Sequence, residues 1–258
     1  MRSRDYVRYE CEAINSLMLQ RDMQRSSPSI GLRWIVFAAA LSLFSPQRAF
    51  AQAKIYPLES LQDLQLHNVI AEPATLHGEK GLRLVPDPQS GQDEVDLLAV
   101  IKDLEFSSGV IEVEVAGSPG PGASMAARGF VGIAFRVQPD LKTYDAFYLR
   151  PTNGRAEDQE RRNHATQYIS QPDWTWSRLR QETPSKYESY VDVIPDTWTK
   201  IRIEVRGDKA RLFVHGSPEP TLLVNDVKTG PNLKGTVALW IGPGTVAHFR
   251  NLTVTNIP

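Results

Sequence analysis

Two stretches near the middle of the chain alternate apolar with small or polar side chains, residue by residue. They are Phe130-Val-Gly-Ile-Ala-Phe-Arg136 and Tyr144-Asp-Ala-Phe-Tyr-Leu-Arg150. Successive side chains on a strand point to opposite faces, so each stretch predicts a β-strand with one buried face. Val131, Ile133 and Phe135 then share one face, and Gly132, Ala134 and Arg136 the other. On the second strand Phe147 and Leu149 stand opposite Tyr144, Ala146, Tyr148 and Arg150. One face reads as core. The other sets small residues beside Arg and Tyr, the pattern of a shallow polar groove for a sugar-like ligand.

Strand signals recur at 64–71, 81–85, 95–101, 110–115, 166–170 and 187–193. They are clearest toward the end, at 198–205, 210–214, 221–224, 236–241 and 246–254. In 198–205 the alternation is strict and places Ile201, Ile203 and Val205 inward, against Lys200, Arg202 and Glu204. Turn chemistry separates the strands at Gly207-Asp208, His215-Gly-Ser-Pro218, Gly230-Pro-Asn232 and Gly242-Pro-Gly244. After Ala53 there is no long helical period and no internal repeat. The pattern predicts an all-β fold, an antiparallel sandwich or barrel. A Pro/Gly loop spans 118–124. The longest irregular stretch, 151–181, is dense in Arg, Asn, His and Trp, and loops of that length in compact β domains often carry function.

Composition narrows this picture. The chain has 258 residues. Its apolar run Trp34-Ile-Val-Phe-Ala-Ala-Ala-Leu-Ser-Leu-Phe44 follows Arg33 and precedes small residues at Ala49, Ala51 and Ala53. That is the layout of an export signal, too short for a comfortable membrane span. We expect a signal at 23–53 with cleavage after Ala51 or Ala53, a gene-model extension at 1–22, and one β-sandwich domain at 54–258. This predicts a secreted or periplasmic protein, with no membrane attachment once the signal is removed. The single cysteine, Cys11, lies outside that domain, so it offers no disulfide or thiolate site. A net charge of -1 provides no basic field for nucleic acid.

The C-terminal half resembles the concanavalin A-like lectin/glucanase superfamily, and within it the 3-keto-disaccharide hydrolase domain family. The likeness rests on Gly132-Ile-Ala-Phe-Arg136 and Tyr144-Asp-Ala-Phe-Tyr-Leu-Arg150, then Asp196-Thr-Trp198-Thr-Lys-Ile-Arg-Ile. It continues through Ala210-Arg-Leu-Phe-Val-His-Gly216, Gly235-Thr-Val-Ala-Leu-Trp-Ile-Gly242 and Ala247-His-Phe-Arg-Asn-Leu252. The resemblance implies a jelly-roll β-sandwich with a carbohydrate groove on one sheet. It also implies activity on glycosides, 3-keto-glycosides among them. Laminin-G-like binding domains share these signatures. The loop with Arg161-Arg-Asn-His164 and Trp174-Thr-Trp176-Ser-Arg178-Leu-Arg180 departs from the family pattern, so no family site residue is carried onto it.

The candidate chemistry comes from the residues themselves. Glu94-Val-Asp96-Leu-Leu-Ala99 resembles the Glu-x-Asp-x-x-Glu strand of laminarinase-type glycosidases, but Ala99 replaces the second Glu that a two-carboxylate mechanism needs. Asp93, Glu94 and Asp96 therefore read as exposed strand residues. His164 is the best base, because imidazole titrates near neutrality; the alternative is a surface histidine in a hydrogen-bonded loop. Arg150 and Arg162 are its expected catalytic partners, as donors to a developing enolate. Expected substrate contacts are Arg136, Tyr144, Tyr148, Asn153, Asn163, Trp174, Trp176 and Arg178. Aromatic rings suit pyranose faces, and planar donors suit hydroxyls. No histidine pair has metal-ligand spacing and no Asp-rich calcium loop is visible, so no cofactor is expected beyond the structural calcium common in the superfamily. Three classes follow: a glycoside hydrolase or lyase, a non-catalytic carbohydrate-binding domain, and an adhesive laminin-G-like domain whose groove its own side chains fill.

Overall fold

The computed structural model describes residues 52–91 and 96–257. The expected extension, most of the signal, Cys11, Asp93 and Glu94 lie outside the described residues. In chain order the strands open with β1 (Ala53–Tyr56), β2 (Leu64–His67), β3 (Val69–Leu76), β4 (Glu79–Pro86) and β5 (Leu97–Ile101). β6 (Gly109–Pro119), β7 (Val131–Val137), β8 (Tyr144–Leu149), β9 (Thr166–Gln171) and β10 (Glu188–Ser189) follow. The last five are β11 (Thr199–Arg206), β12 (Lys209–Val214), β13 (Leu222–Val224), β14 (Thr236–Ile241) and β15 (Thr245–Asn256). Two short helices interrupt the long loop, α1 (Gln159–Asn163) and α2 (Trp176–Glu182), together with a 3-10 turn at Pro151–Asn153.

These strands form two antiparallel sheets. One runs β13-β12-β11-β6-β15-β4-β3, with β1 also on β15; the other runs β10-β9-β8-β7-β14-β5-β2. The chain changes sheet repeatedly, as a jelly-roll sandwich requires. Between the sheets lie Ile111, Val113, Ile133, Phe135, Phe147, Ile201, Ile203, Val205, Leu239 and Phe249, all buried. Ile201, Ile203 and Val205 sit inward as their alternation predicts.

Three boundaries differ from expectation, each for a local reason. The expected strand 64–71 is broken at Asn68, whose φ of 58° is left-handed and ends β2 before β3 begins. The expected strand 187–193 shrinks to two paired residues, Glu188 and Ser189 on Gln167 and Thr166. The stretch 151–181 is not irregular throughout. Asp158 caps α1 by accepting from the Arg161 N–H, and Thr175 caps α2 by accepting from that of Arg178.

Candidate functional site

The second sheet carries the site on the face turned away from the core. Trp240, Gly132, Tyr148 and Gln167 pair across four neighbouring strands, so they share that face. The rings of Tyr148 and Trp240 stack with centroids 4.6 Å apart and planes at 27°. Gly132 lies between them. A Cβ there would come 2.1 Å from the Phe147 carbonyl oxygen and 2.6 Å from the Tyr148 Cα, so only glycine allows this approach. Phe130 meets the Tyr148 ring edge-on at 6.0 Å.

A cavity of about 540 Å³ stands on this platform. Its base is Tyr148, Ile169, Gln171 and Trp240. One wall runs from Ser124 to Phe130 and includes Arg128. A second brings Arg150, Asn153, Asp158, Glu160, Arg161 and His164, and α2 adds Trp176 and Arg180. The protein's own side chains do not fill it, which is the feature expected of a groove open to ligand.

The electrostatic centre is Glu188, with a side chain only 2% exposed. Arg150 Nη1 donates to its Oε1 at 3.0 Å, and Arg180 Nε to its Oε2 at 3.0 Å, while Arg180 Nη2 also reaches Oε1. Burial works against the carboxylate, but the Arg180 hydrogen bond and the charges of Arg150 and Arg180 hold its pKa below the ordinary value. His164 Nδ1 lies 2.9 Å from Glu188 Oε2. That contact lacks hydrogen-bond alignment, and neither ring nitrogen has a hydrogen-bond partner among the described residues. Burial lowers the His164 pKa; Glu188 opposes that shift, and the charges of Arg180 and Arg150 reinforce it. The balance favours the uncharged imidazole, and the His164 side chain lies on the cavity lining with both ring nitrogens buried.

The expected site residues divide. Tyr148, Arg150, Asn153, His164 and Trp176 line the cleft. Arg150 lines it as a brace and not as a free donor: it is 5% exposed and binds Glu188, the Tyr148 hydroxyl, Gln167 Oε1 and the His164 carbonyl. The enolate-donor role expected of it is corrected accordingly. Asn153 is spent in the same way, donating to the His164 carbonyl and accepting from Arg161 Nε. Tyr144 lies beneath the cleft, its hydroxyl donating to Asp96 and accepting from Trp240 Nε1.

Arg136 is a correction. A bulge between Thr236 and Val237 leaves it out of the pairing, at a left-handed φ of 55°. The extra residue breaks the face parity, and the guanidinium turns from the cleft to the carbonyls of Ser107, Gly207 and Gly230. It plugs loops at one end of the sandwich. Arg162 is another correction: it stacks on Tyr190 and donates to that hydroxyl, outside the cleft lining. Asn163 accepts from Gln159 on the surface of α1, also outside the lining.

The helical turn of α2 explains the rest. Residues four apart share a helix face, so Trp176 and Arg180 meet on the cleft side, with Arg180 over the Trp176 ring at 5.0 Å. Arg178 points elsewhere, pairing with Glu182 and covering Trp174 at 4.0 Å. Lys228 approaches that ring too, at 4.4 Å, and Trp174 packs on the core as a plug. The expected ligand roles of Trp174 and Arg178 are corrected by this geometry.

Sequence reasoning passed over Arg128, Phe130, Arg161, Arg180, Glu188 and Trp240. The i,i+4 spacing of Trp176 and Arg180 was the one usable signal. Among the described residues no three His, Cys, Asp or Glu side chains gather as a metal site would require.

No protein-family model and no curated protein sequence matches this chain. Solved structures do resemble it. A carbohydrate-binding module of Bacillus subtilis is 12% identical, with a TM-score of 0.46 over 73% of this chain and 96% of that one. The Crh5 transglycosylase in complex with NAG is 14% identical, with a TM-score of 0.48 over 81% and 85%. A β-glucanase of Bacillus licheniformis is 10% identical, with a TM-score of 0.42 over 81% and 99%.

Proposed function

We propose that the cleft binds a carbohydrate and that His164 acts there as a general base, in a glycoside hydrolase or lyase whose substrates include 3-keto-glycosides. The observation that carries this reading is the His164 imidazole on the cavity lining, 2.9 Å from a buried carboxylate and beside an aromatic floor. Trp176, 47% exposed, offers a ring face for pyranose C–H groups, above a cavity floor formed by the edges of the buried Tyr148–Trp240 stack. Glu188 and the Arg150 contact to the His164 carbonyl hold the imidazole in place.

The route follows from what the cleft lacks. Of the carboxylates on or under it, Glu188 is capped by two arginines, Asp158 caps α1, and Glu160 is 87% exposed. None forms the facing acid–nucleophile pair of ordinary glycosidases. A base alone serves a substrate with an acidic C–H. Next to a ketone, the α-proton passes to the imidazole and the electron pair enters the enolate. Re-formation of the carbonyl then expels the glycosidic oxygen from the β-carbon with its bonding electrons, and the imidazolium or water returns a proton to it. The cationic cleft favours the enolate's charge.

His164→Ala should abolish turnover of 3-keto-glycosides while calorimetry shows sugar binding retained. The competing reading is a non-catalytic binding domain, favoured by the internal engagement of Arg150 and Asn153. It gains if the wild-type protein binds sugars with no turnover and His164→Ala changes nothing. Equal turnover in wild type and variant would remove His164 from the mechanism.

A further inference from the structure

The cleft carries more positive charge than its own carboxylates neutralise where the charge sits. Of its four arginines, Arg150 and Arg180 share Glu188. Arg128 and Arg161 have no carboxylate within ion-pair distance among the described residues. Arg128 spends only Nη1, on the carbonyls of Met125 at 2.5 Å and Ala127 at 2.9 Å. Arg161 donates from Nε to Asn153 Oδ1 at 3.0 Å and from Nη2 to Thr152 Oγ1 at 3.3 Å. All four partners are neutral oxygens. A guanidinium has five N–H donors in a planar fork, so Nε and Nη2 of Arg128 and Nη1 of Arg161 stay open among the described residues. The two rim acids do not answer them. Asp158 accepts from the Arg161 backbone N–H at 2.6 Å, and Glu160 extends into solvent, 3.9 Å from His164 Nε2. Burial depresses the Arg128 pKa, and the like charges of Arg161 and Arg150 depress it further. A ligand bringing negative charge relieves that repulsion.

We propose that the cleft selects an acidic sugar, with Arg128 and Arg161 forming a subsite for a sugar-borne anion, a uronate carboxylate or a sulfate ester. The inference rests on the carbohydrate reading above and adds the substrate class. The planar forks match a carboxylate or a sulfate face, and they line the same cavity as the exposed Trp176 ring.

The test is calorimetric titration of the full chain with matched-length uronate-bearing, sulfated and neutral oligosaccharides. Uronate or sulfated chains should bind roughly tenfold or more tightly than neutral ones, as charge-assisted hydrogen bonds allow. That preference should shrink with added salt. Arg128→Gln and Arg161→Gln should each erase the preference, weakening acidic chains far more than neutral ones, and Arg128→Lys should restore part of it. Thermal melts check that the variants fold. If one does not, the wild-type acidic-to-neutral ratio and its salt dependence still decide. Which acidic class wins assigns carboxylate or sulfate. Neutral sugars binding as well as acidic ones, or both falling equally in the Gln variants, overturns the anion subsite and leaves the carbohydrate reading intact. No binding by any class defeats the carbohydrate reading, and the subsite with it.

Discussion

At the scale of single residues, the site turns on one buried carboxylate serving three neighbours. Glu188 neutralises Arg150 and Arg180 and stands beside His164. Breaking a buried pair by removing one charge leaves the others uncompensated, so Glu188→Gln should destabilise the fold by roughly 3–5 kcal/mol in chemical denaturation. With His164 as the base proposed above, it should also move the pH profile with a definite sign. The wild-type His164 pKa is already depressed, so the acid limb of kcat/KM should fall below the usual imidazole value of about 6.5. Glu188 is an influence that raises it. Its removal should push the limb to still lower pH. A limb that stays in place or moves upward would mean that another group is the base.

At the scale of elements, strand period was the reliable signal and parity the fragile one. β11 shows the signal working. Ile203 is fully buried between the sheets, and Ile203→Ala should cost roughly 2–5 kcal/mol as a cavity substitution. A change within error in urea titration would show that the neighbouring side chains close the gap. β7 shows the fragility. Alternation put Arg136 on the cleft face with Gly132 and Ala134, but one bulge residue reversed it. Nothing in Gly-Ile-Ala-Phe-Arg announces a bulge, because the register shift is settled by the partner strand β14. The α2 segment is a third case. Its seven residues are too short for a convincing helical period, yet the turn decides that Trp176 faces the cleft and Arg178 does not.

At the scale of the whole molecule, acid should weaken the fold through carboxylates held below their ordinary pKa. Glu188 and Glu114 are lowered despite burial, by Arg180 and Arg150 in one case and by Asn251 and Arg250 in the other. Asp226 is lowered to about 2 by hydrogen bonds from Lys186, Tyr187 and Lys228 that outweigh its burial. A depressed carboxylate stabilises the fold above its unfolded pKa, near 4. That stability is lost as pH falls through the folded value. Buried Asp145 has the opposite sign, since burial raises its pKa and protonation relieves a cost. The lowered groups are more numerous, so melting temperature should decline from about pH 4 downward, and Asp226→Asn should remove the last part of the decline near pH 2. A melting temperature flat across that range would show that these contacts add nothing. The amino-acid sequence by itself determined the all-β class, the inward face of β11 and the place of His164 in a polar loop, because alternation and turn chemistry are local properties of the chain. Tertiary structure alone decided that Glu188 lies under His164, that Trp240 stacks on Tyr148 across Gly132, and that Arg128 and Arg161 face one cavity without a counter-charge. Those relations join residues far apart in sequence, and register, a bulge and the packing of short helices bring them together.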